Sequence, residues 1–368
     1  MKIKTLTLVH YRNYTKQLIE FSDGINIFLG QNAQGKTNLM EAIYFLSLTK
    51  SHRTSHDKEV IQWENDFARL EAVLQKKELI IPISLIVHQK GKKASIGHIE
   101  QKKLSHYISY VNVVLFAPED LSLIKGAPHL RRRFIDMELG QMNTTYLAHL
   151  SEYKKIVKQR NSYLKGMQID PIYFDVLTEE LAKHAGALLY YRLQFIQKLE
   201  YYAFKITEHI SMQQDKLSLV YDTPISIISE DTKESLIEKY LVIYRKNKHK
   251  EIEQRLTLYG PHREDFLMYI NGKNAQMYAS QGQQRTIALS LKLAEIDLFK
   301  EITGEYPILL LDDVLSELDD FRQTYLLKSI ENKGQTFITT TNLAGIQKHI
   351  VQTPKVFNIE EGCVHVNG

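Results

Sequence analysis

Eight residues, Gly30-Gln31-Asn32-Ala33-Gln34-Gly35-Lys36-Thr37, restrict the fold of this chain more than any others. They complete the G-x-x-x-x-G-K-[ST] pattern of a phosphate-binding loop. The two glycines let backbone N–H groups wrap a β-phosphate. Lys36 can then reach the β and γ oxygens, and the Thr37 hydroxyl can ligate Mg²⁺. The pattern needs a strand before it and a helix after it. Residues 25–29 are an apolar run punctuated by Gly24 and Gly30, which reads as a strand. From Lys36 to Leu48 a helix is predicted, with Leu39, Ile43 and Leu46 at helical spacing. All eight loop residues are expected to bind nucleotide, and Lys36 to serve hydrolysis as well.

A second segment, Ser280 to Asp319, carries complementary chemistry. It contains an apolar strand, Ile308-Leu309-Leu310-Leu311, that ends in Asp312-Asp313. In phosphate-loop ATPases the first such Asp holds Mg²⁺, and the next acidic residue polarises the attacking water. A helix-start acidic pair stabilised by the dipole is the structural alternative. Upstream, Ser280-Gln281-Gly282-Gln283-Gln284-Arg285 is a glycine-containing polar turn before a predicted helix. Such turns aim free N–H groups at anions, although an ordinary helix cap reads the same way. Having both on one segment suggests an ATPase in which one molecule completes the site of another.

Composition sets the outer bounds. A chain of 368 residues forms two or more domain-sized units, or one domain with a large insertion. With 43% hydrophobic residues it can build a sizeable core. The formal charge of +4 permits nucleic-acid binding without arguing for it. A single cysteine, Cys363, rules out an internal disulfide and fits a reducing cytoplasm. No apolar run approaches membrane-spanning length, and no signal peptide is evident behind Met1-Lys2-Ile3-Lys4-Thr5. The expected protein is soluble and cytoplasmic.

Residues 3–9, 68–74 and 80–88 read as strands, with a hairpin turn at Lys90-Gly91-Lys92-Lys93, and Val111 to Phe116 reads as a buried strand. From about Leu130 to Ile210 glycine is scarce and apolar residues recur at helical spacing. Ser226 to Asp231 and Lys246 to Lys250 read as surface loops. Residues 286–300 and 321–330 read as helices, 307–311 and 335–340 as strands. The expected architecture is an α/β lobe built from both chain ends, residues 1–118 plus 300–368, with a mostly helical lobe, residues 119–299, between them.

The Ser280–Gln283 segment resembles the S-G-G-Q signature of ABC-type ATPases, keeping Gly282 and replacing the first glycine by Gln281. Ser316 to Asp319 resembles the D-loop of that superfamily, with Ser316 and Asp319 at its ends. The resemblance narrows further. Pro118-Glu119-Asp120, Ile124-Lys125-Gly126-Ala127-Pro128 and Arg131-Arg132-Arg133-Phe134-Ile135-Asp136 are similar to the internal signature of the RecF family. Leu310 to Leu326, with Arg322, resembles its second signature. Tyr11-Arg12-Asn13-Tyr14, Ser51-His52-Arg53 and Gly260-Pro261-His262-Arg263 resemble further landmarks in consistent order.

That resemblance implies an ABC-type head related to SMC heads, without the long coiled coil. It implies ATP and Mg²⁺ as cofactors, with Thr37 and Asp312 at the metal and Asp312 and Asp313 in catalysis. It also implies that Ser280, Gln281, Gly282 and Gln283 act in trans across an ATP-dependent homodimer. The implied partners are DNA, gapped, single-stranded or double-stranded, together with RecO, RecR and RecA. The implied roles are recombinational repair, RecA loading at gaps and SOS induction. Two departures from the ABC pattern argue for slow hydrolysis: Asp313 stands where many carry Glu, and Thr339-Thr340-Thr341-Asn342 stands where a switch His is usual.

Other residues keep more than one reading. Arg53, with Lys50 and His52, contacts nucleotide or DNA phosphate or lies in a solvated loop. Lys92 and Lys93, with Lys90, form a DNA-backbone patch or a solvated hairpin tip. Arg131 to Arg133 meet carboxylates or phosphate, as an interlobe salt bridge or a DNA contact. Trp63 and the tyrosines of the helical block read as core. No Cys/His spacing indicates zinc. Three alternatives stand beside the leading one: a transporter-associated ABC ATPase, a phosphate-loop kinase or GTPase, and a non-hydrolysing SMC-like structural head.

Overall fold

A computed structural model describes residues 1–166, 168–343 and 353–366. The chain divides into two compact units, Met1–Asp120 with Arg285–Gly368, and Leu121–Gln284. The first is built on two sheets. One is wholly antiparallel, in the order Tyr14–Glu20, Lys2–Tyr11, Phe67–Lys76, Leu79–His88, Gly91–Ile96, Ile99–Glu100. Its strands alternate buried and exposed positions, as at Ala68, Leu70, Ala72 and Leu74, so one register alone buries the apolar set.

The other sheet runs Cys363–Val366, Lys355–Glu360, Ile25–Leu29, Thr336–Thr340, Ile308–Leu311, Val113–Phe116. Its last five strands are parallel. Ile308–Leu311 and Val113–Phe116 are buried throughout, which is why they read as unbroken apolar runs rather than alternating ones. Phe21, Phe28, Phe337 and Phe357 cluster at ring separations of 4.8 to 6.2 Å in the core of this unit.

The second unit holds the long helices Pro128–Met142, Thr144–Leu164 and Pro171–Ile210, with Lys233–Lys246 packed on the last of these. Asn143, Asp170 and Thr232 cap three of them by accepting from Tyr146, Ile172 and Ser235 N–H groups. An antiparallel sheet of Lys273–Asn274, Asp265–Ile270 and Leu217–Asp222 completes it. Three arginines in its interior are paired with carboxylates. Arg192 meets Asp136 at 2.8 Å, Arg160 meets Glu251 at 2.7 Å, and Arg131 grips Asp265 at 2.6 Å.

Several expectations are corrected. Residues 285–299 gather with the first unit, because the helix Gln281–Thr303 binds its polar groups there. Thr286 accepts from Arg322 at 2.8 Å, and Asp297 accepts from Lys333 at 2.6 Å. Lys246 to Lys250 is not a loop but two helices, Lys233–Lys246 and Lys248–Gln254, meeting at Asn247. The hairpin turn is Gln89–Lys90 alone, and Lys92 and Lys93 lie in the strand Gly91–Ile96. Arg131 does meet a carboxylate, but that of Asp265 in its own unit rather than one across the lobes. Trp63 is 92% exposed, on a turn rather than in the core.

Candidate nucleotide site

Strand order decides what meets at the C-terminal edge of the parallel sheet. Leu29 pairs with Thr340, and Ile338 with Leu311, so Thr336–Thr340 lies between the strand that enters the phosphate loop and the strand that ends in Asp312. The loop, Thr339 and the acidic pair therefore stand side by side at the carboxyl ends of three parallel strands. In open α/β sheets that edge is where ligands bind.

The loop itself is shaped by conformations that few residues tolerate. Gly35 has φ of +118°, and a Cβ there would come within 2.7 Å of the Asn13 side chain and 3.0 Å of the Tyr14 hydroxyl. Ala33 is also left-handed, at φ +66°. Around this frame sit supports that no phosphate-loop pattern encodes. The Tyr14 hydroxyl donates to the Gly35 carbonyl at 2.9 Å, and Asn13 Nδ2 to the Gln34 carbonyl at 3.2 Å. The C-terminal hairpin turn clasps the same residue: Glu361 N–H donates to Gln34 Oε1 at 2.7 Å, and Gly362 N–H to its carbonyl at 3.0 Å. Gly30 N–H donates to the Thr340 carbonyl at 3.3 Å. Asn32 carries no such support and lies exposed at the loop crest beside Gln31.

Lys36 is buried and folds back over the loop, its ammonium donating to the Gly30 and Gln31 carbonyls at 2.6 and 3.0 Å. Thr37 donates to Asp312 Oδ1 at 3.3 Å. Thr339 donates to the same oxygen at 2.9 Å and accepts from Asp313 N–H at 2.8 Å. Burial pushes the Asp312 carboxyl up to about 6. The charges of Asp313 and Glu119 push the same way, while the Thr339 and Thr37 hydroxyls oppose them. Asp313 sits in the left-handed region at φ +50°, its carbonyl accepting from Ser316 Oγ at 2.7 Å. Asp319 caps the helix Asp320–Ile330 by accepting from Arg322 N–H at 2.9 Å and forms an ion pair with the Arg322 guanidinium.

The helix Lys36–Leu48 is held from behind by Glu41, whose fully buried carboxylate accepts from Arg12 Nε and Nη2 at 2.8 and 2.7 Å and from Ser51 Oγ. Ser51 Oγ in turn accepts from Arg53 and Thr54 N–H groups. Arg53 is half exposed and donates to Asn38 Oδ1 at 2.8 Å, one residue beyond the Thr37 of the loop. Lys92 is committed inside the protein, its ammonium on Asp57 Oδ2 at 2.5 Å and the Thr49 carbonyl at 2.6 Å. Lys93 is exposed and 3.6 Å from Glu100.

The Ser280 segment belongs to the other unit. Ser280 Oγ accepts from Gln283 N–H at 3.2 Å while Gln283 Oε1 accepts from Ser280 N–H at 3.0 Å, a reciprocal capping box at the start of the helix. Gln283 also donates to Asp215 at 2.8 Å. Gln281 and Gly282 are exposed, following the exposed side chains of Met277 and Tyr278.

A phosphate loop at the edge of a mixed sheet, an acidic pair beside it and a largely helical unit inserted between the two halves of the lobe define an ABC-type ATPase head. The family model described as RecF/RecN/SMC N terminal domain matches residues 2–365. An SMC head bound to the C-winged helix domain of ScpA shares the fold, with a TM-score of 0.57 at 14% identity over 100% of this chain and 97% of that one. Within this class the relatives are specific. The DNA replication and repair protein RecF of Pediococcus pentosaceus is 50% identical over 99% of this chain and 98% of that protein. The RecF of Listeria monocytogenes is 52% identical over 99% of each. A solved structure of the recombination mediator protein RecF with ATP, in the RecFOR pathway, superposes with a TM-score of 0.92 at 32% identity, over 100% of this chain and 97% of that one. The chain belongs to the RecF family.

Proposed function

We propose that this chain is an ATP-gated DNA-binding protein of DNA replication and repair, in which nucleotide controls association of two copies and hydrolysis times their release. The observation that carries the reading is the convergence of Lys36, Thr37, Asp312 and Asp313 at one sheet edge, beside a loop whose backbone is already curled for a phosphate. The family's solved members bound to ATP support it.

The residues present fit Mg²⁺. Thr37 and Asp312 bring a hydroxyl and a carboxylate together, both hard oxygen donors, and among the described residues no cation lies in hydrogen-bond reach of the buried Asp312 carboxyl. Among the described residues no three His, Cys, Asp or Glu side chains form a metal cage, so phosphate oxygens and water would complete the shell. When bound, the ion would neutralise charge on the β and γ oxygens. Lys36 would exchange its two carbonyl partners for phosphate oxygens. Asp313 would orient the attacking water, less closely than a longer Glu, which favours slow, DNA-linked turnover.

Ser280, Gln281, Gly282 and Gln283 would cover the γ-phosphate bound to a second copy, with Ser316 and Asp319 near the same junction. The partners are DNA, with gapped duplex the preferred form to test, and the RecO, RecR and RecA proteins of recombinational repair and SOS induction. The location is cytoplasmic. No helix among the described residues is long and apolar enough to cross a membrane. Arg53 and Lys93 remain the basic candidates for DNA or phosphate contact, whereas the Asp57 pairing of Lys92 leaves it a supporting role.

Sedimentation with and without ATP tests the gating, and binding to gapped duplex against plain single and double strands tests the nucleic-acid function. The slope of affinity with salt would count neutralised phosphates. An unchanged monomer with ATP, and DNA binding indifferent to nucleotide, would sink the reading.

A further inference from the structure

Between the two strands that supply the phosphate loop and the acidic pair runs a third, and its side chains have no part in either motif. Thr339, near the end of that strand, is buried, with its hydroxyl directed at the acidic pair. A hydroxyl has one proton to donate and lone pairs to accept with. Here the proton goes to Asp312 Oδ1 at 2.9 Å, with Asp313 Oδ1 at 3.3 Å as the second acceptor in reach, and the lone pairs take the Asp313 N–H at 2.8 Å. One side chain thus fixes two things. Asp312 Oδ1 receives both Thr339 and Thr37, which sets the plane of its carboxylate. Asp313 is held at φ +50°, a conformation that side-chain-bearing residues seldom adopt, by an N–H that ends on Thr339. The next residue of the strand, Thr340, receives Gly30 N–H through its carbonyl, so the same strand end also touches the phosphate loop.

Resting on the function proposed above, we infer that Thr339 is a positioning residue of nucleotide hydrolysis in this chain: its hydroxyl orients the Asp312 carboxylate and fixes the backbone from which the Asp313 carboxylate projects. It touches no substrate and acts through the pair. A strand position suits this role better than a loop position: Thr339 pairs with Phe28, and the preceding Ile338 pairs with both Ile27 and Leu311. Isosteric replacement by valine would keep the strand and its packing while removing the proton and the acceptor together.

The test uses the full chain carrying Thr339→Val and, separately, Thr339→Ser. Three quantities are measured: binding of a fluorescent ATP analogue in EDTA, the Mg²⁺ concentration for half-maximal hydrolysis, and the single-turnover hydrolysis rate. The valine variant should bind nucleotide in EDTA within about threefold of the parent, yet lose at least about tenfold in hydrolysis and require more Mg²⁺, as expected when a charge-assisted hydrogen bond is removed from a reacting group's neighbour. Serine should restore both within about threefold. A valine variant that hydrolyses like the parent, or that loses metal-free nucleotide binding to the same degree, overturns the inference. So does a serine variant as impaired as valine. A parent chain with no Mg²⁺-dependent hydrolysis overturns instead the ATPase reading on which the inference stands.

Discussion

Thr37 and Asp312, 275 positions apart in the sequence, meet hydroxyl to carboxylate at 3.3 Å. The contact is set by strand order. The strand that leads into the phosphate loop and the strand that ends in Asp312 flank Thr336–Thr340, so their carboxyl ends open on the same edge. Burial has already raised the Asp312 carboxyl to about 6, so that a cation placed between these oxygens would relieve a cost the fold carries without it.

Lys36 offers the most direct check on the nucleotide reading. Its ammonium bridges the Gly30 and Gln31 carbonyls, while the loop's curl is fixed by backbone and neighbouring contacts at Gln34 and Gly35. Replacing it with alanine should leave the chain folded. Removing a preorganised cation from the β and γ oxygens should lower hydrolysis by roughly a hundredfold or more. Equilibrium binding of a fluorescent ATP analogue and single-turnover hydrolysis would check this, and near-parental values for both would remove Lys36 from the site.

Ser280 separates assembly from nucleotide binding. Arginine at this position places bulk and charge beside the exposed Gln281 and Gly282, and it also removes the cap, a loss of about 1 kcal/mol. Asparagine keeps a capping oxygen and serves as the control. With ATP present, Ser280→Arg should sediment as a monomer while binding nucleotide within about threefold of the parent, and Ser280→Asn should still associate. Association of the arginine variant at parental strength would show that this segment is only a helix cap.

The phosphate loop and the acidic pair were legible because each is local: a fixed spacing, a strand on one side and a helix start on the other. What supports them was not. That Thr336–Thr340 separates the two motif strands is a tertiary fact, and the strand-like segments at 25–29, 308–311 and 336–340 give no neighbour order by themselves. Tyr14 at the Gly35 carbonyl and the 361–362 turn on Gln34 act through the backbone, which leaves no signature of residue type. Trp63 misled for the opposite reason. Its size argued for burial, but it lies on a turn fixed by polar contacts, with Gln62 N–H donating to the His10 carbonyl at 2.9 Å and Asn65 Nδ2 to the carbonyl of Trp63 itself at 3.0 Å. Lys92 read as surface charge because a strand hides the direction in which every second side chain points.

Glu41 ties the phosphate-loop helix to the segment that carries Arg53. Although burial acts to raise it, the Arg12 and Ser51 hydrogen bonds hold this carboxyl below the usual range, so it stays charged and paired. Glu41→Ala would leave the partly buried Arg12 guanidinium with the Glu59 carbonyl but no carboxylate, and would remove a partner of Ser51. A cost of about 3–5 kcal/mol is expected for breaking a buried pair on one side. The measurable signs are a fall in melting temperature of roughly 10 °C and new proteolytic cleavage within residues 50–60. Parental stability would mean that the pair contributes no more than an exposed one.

His262 makes the helical unit sensitive to acid. Burial lowers its imidazole to about 4, and the nearby Arg263, Arg132 and Arg192 charges act in the same sense. The neutral ring is matched to its surroundings, with Nδ1 2.6 Å from the Tyr153 hydroxyl and Nε2 3.3 Å from the Thr257 carbonyl. Below the ordinary value of 6.5 the unfolded chain takes up a proton that the folded chain refuses until about pH 4. Stability from this residue is therefore complete above pH 6.5 and declines across that window, by an amount on the order of 3 kcal/mol. Asp136, kept low against its burial by Arg192 and Lys154, loses its contribution only in more acid solution. Urea midpoints taken between pH 7.5 and 4.5 should fall for the parent chain. His262→Gln, which cannot titrate, should start less stable and show a flatter decline. Equal slopes for the two proteins would assign the acid sensitivity to other groups.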